Sequence, residues 1–248
     1  MSNRSLSLFF PCHNEADNLD ALVREALEAA PTLARAFELI LVDDGSTDAT
    51  ATIAARLAAE HPDVVRVVRH ERNRGYGGAL RSGFAAARYP WIAFTDGDRQ
   101  FRVADLVALV DAADQSAADV VVGYRLHRAD PLVRRIYAAI YRLANRIWFG
   151  LAVRDVDCAA KLFRSDSLSG LCVASDGAFF SAEMLIKLRA RGVSLVEVGV
   201  PHYPRTAGSP TGARIGVILR AVRDFWSLRF ALWLDRRAAL QGGRALRG

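Results

Sequence analysis

The sequence predicts a doubly wound, mostly parallel α/β sheet, and three observations carry that expectation. Short apolar runs of strand length recur along the first half of the chain. Between them lie longer stretches whose apolar residues repeat at helical spacing, as in crossover units joining parallel strands. Several of the runs end in carboxylates, the groups expected at the ligand edge of an open α/β sheet. Right-handed crossovers are then expected.

Taken in order, Leu6 to Phe10 reads as the first strand, stopped by Pro11. A helix opens at Asn14-Glu15-Ala16-Asp17-Asn18 and runs to about Ala30, with Leu19, Leu22, Val23, Ala26 and Leu27 on one face. Glu38 to Val42 is the second strand and ends in Asp43-Asp44-Gly45-Ser46-Thr47-Asp48. Thr50 to Glu60 reads as helix and Val64 to Val68 as the third strand. The glycine-rich loop Asn73-Arg74-Gly75-Tyr76-Gly77-Gly78 precedes a helix from Ala79 to Arg88. It matches neither a dinucleotide fingerprint nor a Walker loop. Trp91 to Phe94 reads as a buried strand, followed by a helix near Ala104 to Ala113 and a fifth strand from Asp119 to Gly123.

The second half changes character. Asp130 reads as an N-cap and Pro131 as a first-turn residue of a helix through about Phe149. Leu132, Ile136, Ile140, Leu143 and Ile147 share one face; Arg135, Arg142 and Arg146 share an adjoining one, and Arg134 points elsewhere. A later helix over about 213–236 stacks Ile215, Leu219, Val222, Trp226, Phe230 and Trp233. Such stripes suit core or homo-oligomer contacts. Arg beside aromatics also suits a helix lying on anionic lipid. Residues 237–248, rich in Gly and Arg, are expected to form a flexible basic tail.

Bulk composition sets the limits. The 248 residues are 52% hydrophobic, enough for a sizeable core, and 33 Lys and Arg against 27 Asp and Glu leave a net charge of +6. That excess, carried almost wholly by Arg, suits an anionic partner: nucleic acid, a phosphorylated substrate or an acidic membrane surface. Cys12, Cys158 and Cys172 are widely spaced, which fits free thiols in a reducing cytoplasm and neither a disulfide framework nor a zinc site. Neither a signal peptide nor a transmembrane helix is expected, so the chain is read as soluble or peripheral.

The chemistry centres on Asp96-Gly97-Asp98-Arg99-Gln100, directly after the Trp91 strand. Two like charges one residue apart at a strand end make most sense beside a cation. Oxygen ligands suit Mg²⁺ or Mn²⁺, with substrate phosphates completing the shell. Glu15, Asp44, Asp96 and Asp98 then outline one cleft along one sheet edge. Each alone could be a cap or a turn former.

The ordered set of motifs resembles the family-2 inverting glycosyltransferases of the polyprenyl-phosphate (dolichyl-phosphate) mannose or glucose synthase type. It comprises Pro11-Cys12-His13-Asn14-Glu15, Val42-Asp43-Asp44-Gly45-Ser46-Thr47-Asp48, Asn73-Arg74-Gly75 and Asp96-Gly97-Asp98-Arg99-Gln100. Further along stand Gly123-Tyr124-Arg125, Arg134, Asp157-Cys158-Ala159-Ala160-Lys161-Leu162-Phe163-Arg164, Glu183 and His202-Tyr203-Pro204-Arg205-Thr206-Ala207-Gly208. The resemblance spans about residues 5 to 235. It implies a Rossmann-like nucleotide-diphospho-sugar transferase (GT-A) fold, with one catalytic domain over about 1–212 that includes the acceptor-side helix.

It further implies a nucleotide-sugar donor held by Pro11, His13, Glu15, Val42, Asp44, Asp96 and Gly97. Asp96, Asp98 and Gln100 would be the catalytic and metal-binding group, with Mg²⁺ or Mn²⁺. Arg125, Arg134 and Arg205 would hold the phosphate of a polyprenyl-phosphate acceptor, and Asp157, Lys161 and Glu183 would stand behind the site. The setting implied is the inner face of the cytoplasmic membrane. Two departures are visible: Ala159 stands where relatives tend to have Gly, and Ser209-Pro210-Thr211 replaces a common Ser-Lys.

A phosphate acceptor needs no strong general base, because its second pKa is about 6. A hydroxyl acceptor would need one, and Glu183 or Asp157 would be candidates. Glu183 alone could also be a surface carboxylate on a helix from Ser181 to Ala190. A sugar nucleotidyltransferase is disfavoured, since its glycine-rich loop after the first strand is absent. So is a nucleic-acid-binding module, for which no signature is present. The sequence does not distinguish GDP-mannose from UDP-glucose.

Overall fold

A computed structural model of the chain describes residues 4–126, 132–205 and 215–245, with side chains described except at 132–135, 215 and 235–245. Seven strands form one mixed sheet in the order β3-β2-β1-β4-β6-β5-β7. They are β1 (Ser5–Cys12), β2 (Ala36–Asp43), β3 (Val65–Arg69), β4 (Trp91–Phe94), β5 (Val120–Arg125), β6 (Lys161–Arg164) and β7 (Leu195–Val200). All neighbours run parallel except β6, which is antiparallel to both β4 and β5. The described α-helices are α1 (Ala16–Leu33), α2 (Thr50–Glu60), α3 (Tyr76–Ala86), α4 (Val107–Ser116), α5 (Leu132–Phe149), α6 (Ser165–Leu168), α7 (Phe180–Ala190) and α8 (Ile215–Ala245), and a 3₁₀ turn, Val103–Leu106, leads into α4.

The doubly wound expectation holds, and the departures have local causes. β1 continues through Pro11 because its pairing with β4 ends at Phe9, so the proline lies where one side of the ladder has stopped. α1 carries Pro31 in its last turn and closes with Ala34 N–H on Ala30 O at 3.0 Å. β6 and β7 were not expected. Lys161 to Arg164 is only four residues long, and it sits inside a stretch dominated by its polar motif.

The core beneath the sheet's ligand edge is aromatic. Phe84 of α3 packs edge-on against Phe9, Phe94 and Phe163 of three neighbouring strands, with ring centroids 5.0–5.8 Å apart. Such pairs add to their large buried area a geometric preference that fixes how α3 sits on the sheet.

The stripes of α5 and α8 face outward. Ile147 is 67% exposed and Leu219 64%, with Ile136, Tyr137, Ile140, Leu143, Trp226 and Phe230 similarly open. Other residues hold the two helices to the body: Asn145, Phe225 and Leu228 are buried, and Phe225 meets Phe149 at 4.8 Å and Phe179 at 5.8 Å. Trp148 and Trp226 join the helices at 5.1 Å. Core packing is therefore not what these stripes serve: periodicity shows that a helix has an apolar face, not what covers it. α8 also runs beyond the boundary expected at 236, since Ala238, Ala239, Leu240 and Gln241 are good helix formers.

Candidate active site

The strand order places the ends of β2, β1 and β4 side by side, with the order of strands reversing at β1: β2 and β3 lie on one side of it and β4 on the other. That switch point is where open α/β sheets bind ligands. Glu15, Asp44, Asp96 and Asp98 all follow these three strands, and hydrogen bonds knit the loops together. Asp44 N–H donates to Cys12 O at 2.8 Å and Gly97 N–H to Pro11 O at 3.4 Å. The side-chain oxygen of Asn14 accepts from Thr47 N–H at 2.8 Å, and Glu15 N–H donates to the Thr50 hydroxyl at 2.8 Å.

Asp44 is tightly oriented. Its Oδ1 lies 2.6 Å from His70 Nδ1 and accepts Arg74 N–H at 2.8 Å, while His70 Nε2 meets the Ser82 hydroxyl at 2.8 Å. His70 and Ser82 were not expected, although His70 directly follows β3 and could have been found by its place. Exposed His13 touches Asp44 O through Nδ1 at 3.1 Å. Pro11 and Val42 are buried and lie opposite each other across β1 and β2.

Asp98 is 4% exposed. Its Oδ1 accepts Gln100 N–H at 3.0 Å and its Oδ2 takes the Arg205 guanidinium at 2.5 Å. Arg205 also reaches Glu15 at 3.7 Å. Gln100 is held against the 200s segment, its side-chain NH₂ donating to Tyr203 O at 3.3 Å and its backbone carbonyl accepting Tyr203 N–H at 2.9 Å. Arg99 adopts φ +59°, a conformation uncommon for a residue with a Cβ, so its surroundings hold this loop in shape.

Asp96 accepts the Tyr76 hydroxyl at 3.0 Å. Burial, reinforced by the Asp98 charge, raises its pKa to about 7, against the opposing pull of Tyr76, Lys161 and Arg205. The same desolvation, with Asp98 adding to it, raises Glu15. Lys161 is fully buried opposite Phe94 on β6, its ammonium donating to Cys158 O, and burial lowers its pKa.

These residues fit a divalent cation. Among the described residues no three His, Cys, Asp or Glu side chains gather into a metal cage. A Mg²⁺-like ion needs only one or two carboxylates when substrate phosphates supply further oxygens. Asp96 and Asp98 supply hard oxygens, and the guanidinium on Asp98 already marks a place that favours positive charge.

The three expected acceptor arginines are not equivalent. Arg205 lies in the cleft. Arg125 makes a two-pronged pair with Asp155, at 2.6 and 2.8 Å, and the side chain of Arg134 lies outside the described residues. Asp157 is exposed. Glu183 is not a surface carboxylate: it is 2% exposed and accepts four hydrogen bonds.

Residues 7–172, more than half of the chain, match Glycosyl transferase family 2. The chain belongs to that family. It is 33% identical over 233 residues to an uncharacterized glycosyltransferase of Mycobacterium bovis, covering 92% of this chain and 99% of the relative. It is 36% identical to the dodecaprenyl-phosphate galacturonate synthase of Rhizobium johnstonii, covering 91% of this chain and 66% of that protein. In fold it is similar to glucosyl-3-phosphoglycerate synthase of Mycobacterium tuberculosis in complex with Mn²⁺, uridine diphosphate and glucosyl-3-phosphoglycerate. There the TM-score is 0.65 at 22% identity, over 90% of this chain and 79% of the other.

The state of Asp96 yields a test. An acid whose folded pKa lies above its unfolded value of about 4 binds its proton more tightly when folded, so stability falls as pH rises from about 4 to about 7. In metal-free buffer, Asp96→Asn should melt several degrees above the unaltered protein at pH 8, and the gap should close near pH 5. Calorimetric melting temperatures at both pH values check this; a less stable variant at pH 8 would contradict it.

Proposed function

We propose that this family 2 glycosyltransferase transfers a sugar from a nucleotide-sugar, with a divalent metal, to polyprenyl phosphate at an anionic membrane surface, inverting the anomeric configuration. The observation that carries the reading is the convergence of Glu15, Asp96, Asp98 and Arg205 in the switch-point cleft. Carboxylates there suit a metal–diphosphate, and an arginine beside them suits a second phosphate. The relative that makes dodecaprenyl-phosphate galacturonate lends support to the acceptor class.

In this reading Asp44, oriented by His70 and Arg74, and Glu15 accept hydrogen bonds from the nucleoside. Asp96, Asp98 and Gln100 would hold Mg²⁺ or Mn²⁺, whose charge offsets that developing on the departing diphosphate. A phosphate oxygen of the acceptor attacks the anomeric carbon. The bond to the donor diphosphate breaks with its electron pair leaving on the diphosphate, and in-line displacement inverts the centre. The acceptor arrives ionised, so no side chain has to remove a proton. Positioning and electrostatics supply the acceleration.

A lipid acceptor also accounts for the outward stripes of α5 and α8. Among the described residues no helix is long and apolar enough to cross a membrane. An apolar face carrying Trp148, Trp226 and Phe230, with exposed Arg142, Arg146, Arg220 and Arg223 on the same helices, suits the headgroup boundary of an anionic bilayer.

Two measurements check these assignments. Arg205→Ala should leave donor affinity, read by calorimetry, within about threefold, while transfer to polyprenyl phosphate falls about 10- to 100-fold, the loss of one charge-assisted hydrogen bond. Equal loss of both, or equal use of polyprenyl phosphate and the matching polyprenol, would overturn the acceptor assignment. The protein should co-sediment with vesicles containing anionic lipid and release as salt rises. Ile147→Glu with Leu219→Glu should weaken that binding about tenfold or more; undiminished binding would contradict the membrane face.

A further inference from the structure

The buried carboxylate of Glu183 lies on α7, not on the strand ends that build the cleft, and the transfer to a phosphate acceptor proposed above does not use it. Its Oε1 accepts Ala174 N–H at 2.9 Å and the Lys187 ammonium at 2.6 Å; its Oε2 accepts Ser175 N–H at 2.9 Å and the Ser175 hydroxyl at 2.6 Å. Burial opposes its ionisation, but these donors outweigh burial and lower its pKa. A single carboxylate thus pins two consecutive backbone amides of an irregular segment.

That segment bears on the start of α3. Asp176 O accepts Gly77 N–H at 2.9 Å. The approach is so close that a Cβ on Gly75, at φ +83°, would meet Asp176 O at 2.7 Å, and one on Gly77 would meet Ser175 O at 2.7 Å. Arg81, one turn into α3, braces the same stretch from Val173 O, Ser175 O and Asp176 Oδ1 at 2.9–3.1 Å. Between the two glycines stands Tyr76, whose hydroxyl donates to Asp96.

We propose that Glu183 is a positioning residue for the donor site: through residues 173–176 it seats the turn at Gly75–Gly77 and so holds the Tyr76 hydroxyl on Asp96. The consequence for the donor rests on the reading of Asp96 given above; the mechanical link does not. The link assigns a role to the glycines of Asn73-Arg74-Gly75-Tyr76-Gly77, which match no nucleotide-binding loop and here admit a neighbouring backbone. With Arg74 N–H on Asp44, one turn orients two carboxylates of the cleft.

The test uses Glu183→Gln, which keeps size and shape. Its amide nitrogen must face either Ala174 N–H and Lys187 or Ser175, donor against donor, so one set of bonds is lost. Ser175→Ala is the milder variant, deleting one donor while leaving the carboxylate. Hydrogen exchange of peptides spanning 73–78 should speed up about tenfold in Glu183→Gln and less in Ser175→Ala, with β2 unchanged. Unchanged exchange at 73–78 in a folded Glu183→Gln overturns the proposal whether or not the protein uses nucleotide-sugars.

Kinetics then tests the consequence. Glu183→Gln and Tyr76→Phe should each raise the donor KM about three- to tenfold with a smaller change in kcat, and the double variant should be no worse than the poorer single one. A staple that serves only the fold would lower the melting temperature and leave donor KM alone, or its effect would add to that of Tyr76→Phe; either result overturns the proposal. An unaltered protein inert toward nucleotide-sugars overturns the donor reading instead, and the exchange result then decides the Glu183 link alone.

Discussion

Asp96 and Asp98 repel each other, and their withdrawal from water at the end of β4 strengthens that repulsion. Much of the surrounding structure answers this one constraint. Tyr76 donates to Asp96, Arg205 and the Gln100 backbone N–H engage Asp98, and Lys161, buried on β6, also favours the Asp96 carboxylate although burial lowers its own pKa. These contacts offset the repulsion without abolishing it, since Asp96 still holds its proton more tightly than an ordinary carboxyl. A site left short of positive charge in this way favours a small, hard cation over further protein donors.

The sheet gives the constraint its location. β4 neighbours β1 on the side away from β2, so the strand order reverses at β1, the switch point at which open α/β sheets bind ligands. The aromatic group of Phe9, Phe84, Phe94 and Phe163 supports the floor beneath it, so the carboxylates project from strands that cannot yield easily. Antiparallel β6 brings Lys161 opposite Phe94, and the segment ahead of α7 presses on the turn before α3. Distant parts of the chain thereby converge on a few atoms at one edge.

How much of this was legible follows from the kind of signal. Strands β1 to β5 and helices α1 to α4 announce themselves by apolar periodicity, and Asp44, Asp96 and Asp98 by standing where apolar runs end. The ordered motifs then point to the family, which the match over residues 7–172 establishes. Contacts between distant segments leave no periodic trace. The pairing of Arg125 with Asp155, the His70–Asp44 bond, and the four donors converging on Glu183 each depend on tertiary placement. The stripes of α5 and α8 were visible, but their outward direction was not, because exposure is decided by the rest of the fold.

The proposed function rests on the binding of a nucleotide diphosphate to the strand-end carboxylates through a divalent cation. It is tested most directly by titrating UDP and GDP calorimetrically into the full chain, with Mn²⁺ and then with excess EDTA, for the unaltered protein and for Asp98→Asn. One nucleotide should bind with Mn²⁺, at least tenfold more weakly in EDTA, and comparably weakly in Asp98→Asn under both conditions, with the variant's fold intact by circular dichroism. Equal affinity with and without the ion, or full Mn²⁺-dependent binding by Asp98→Asn, would contradict it.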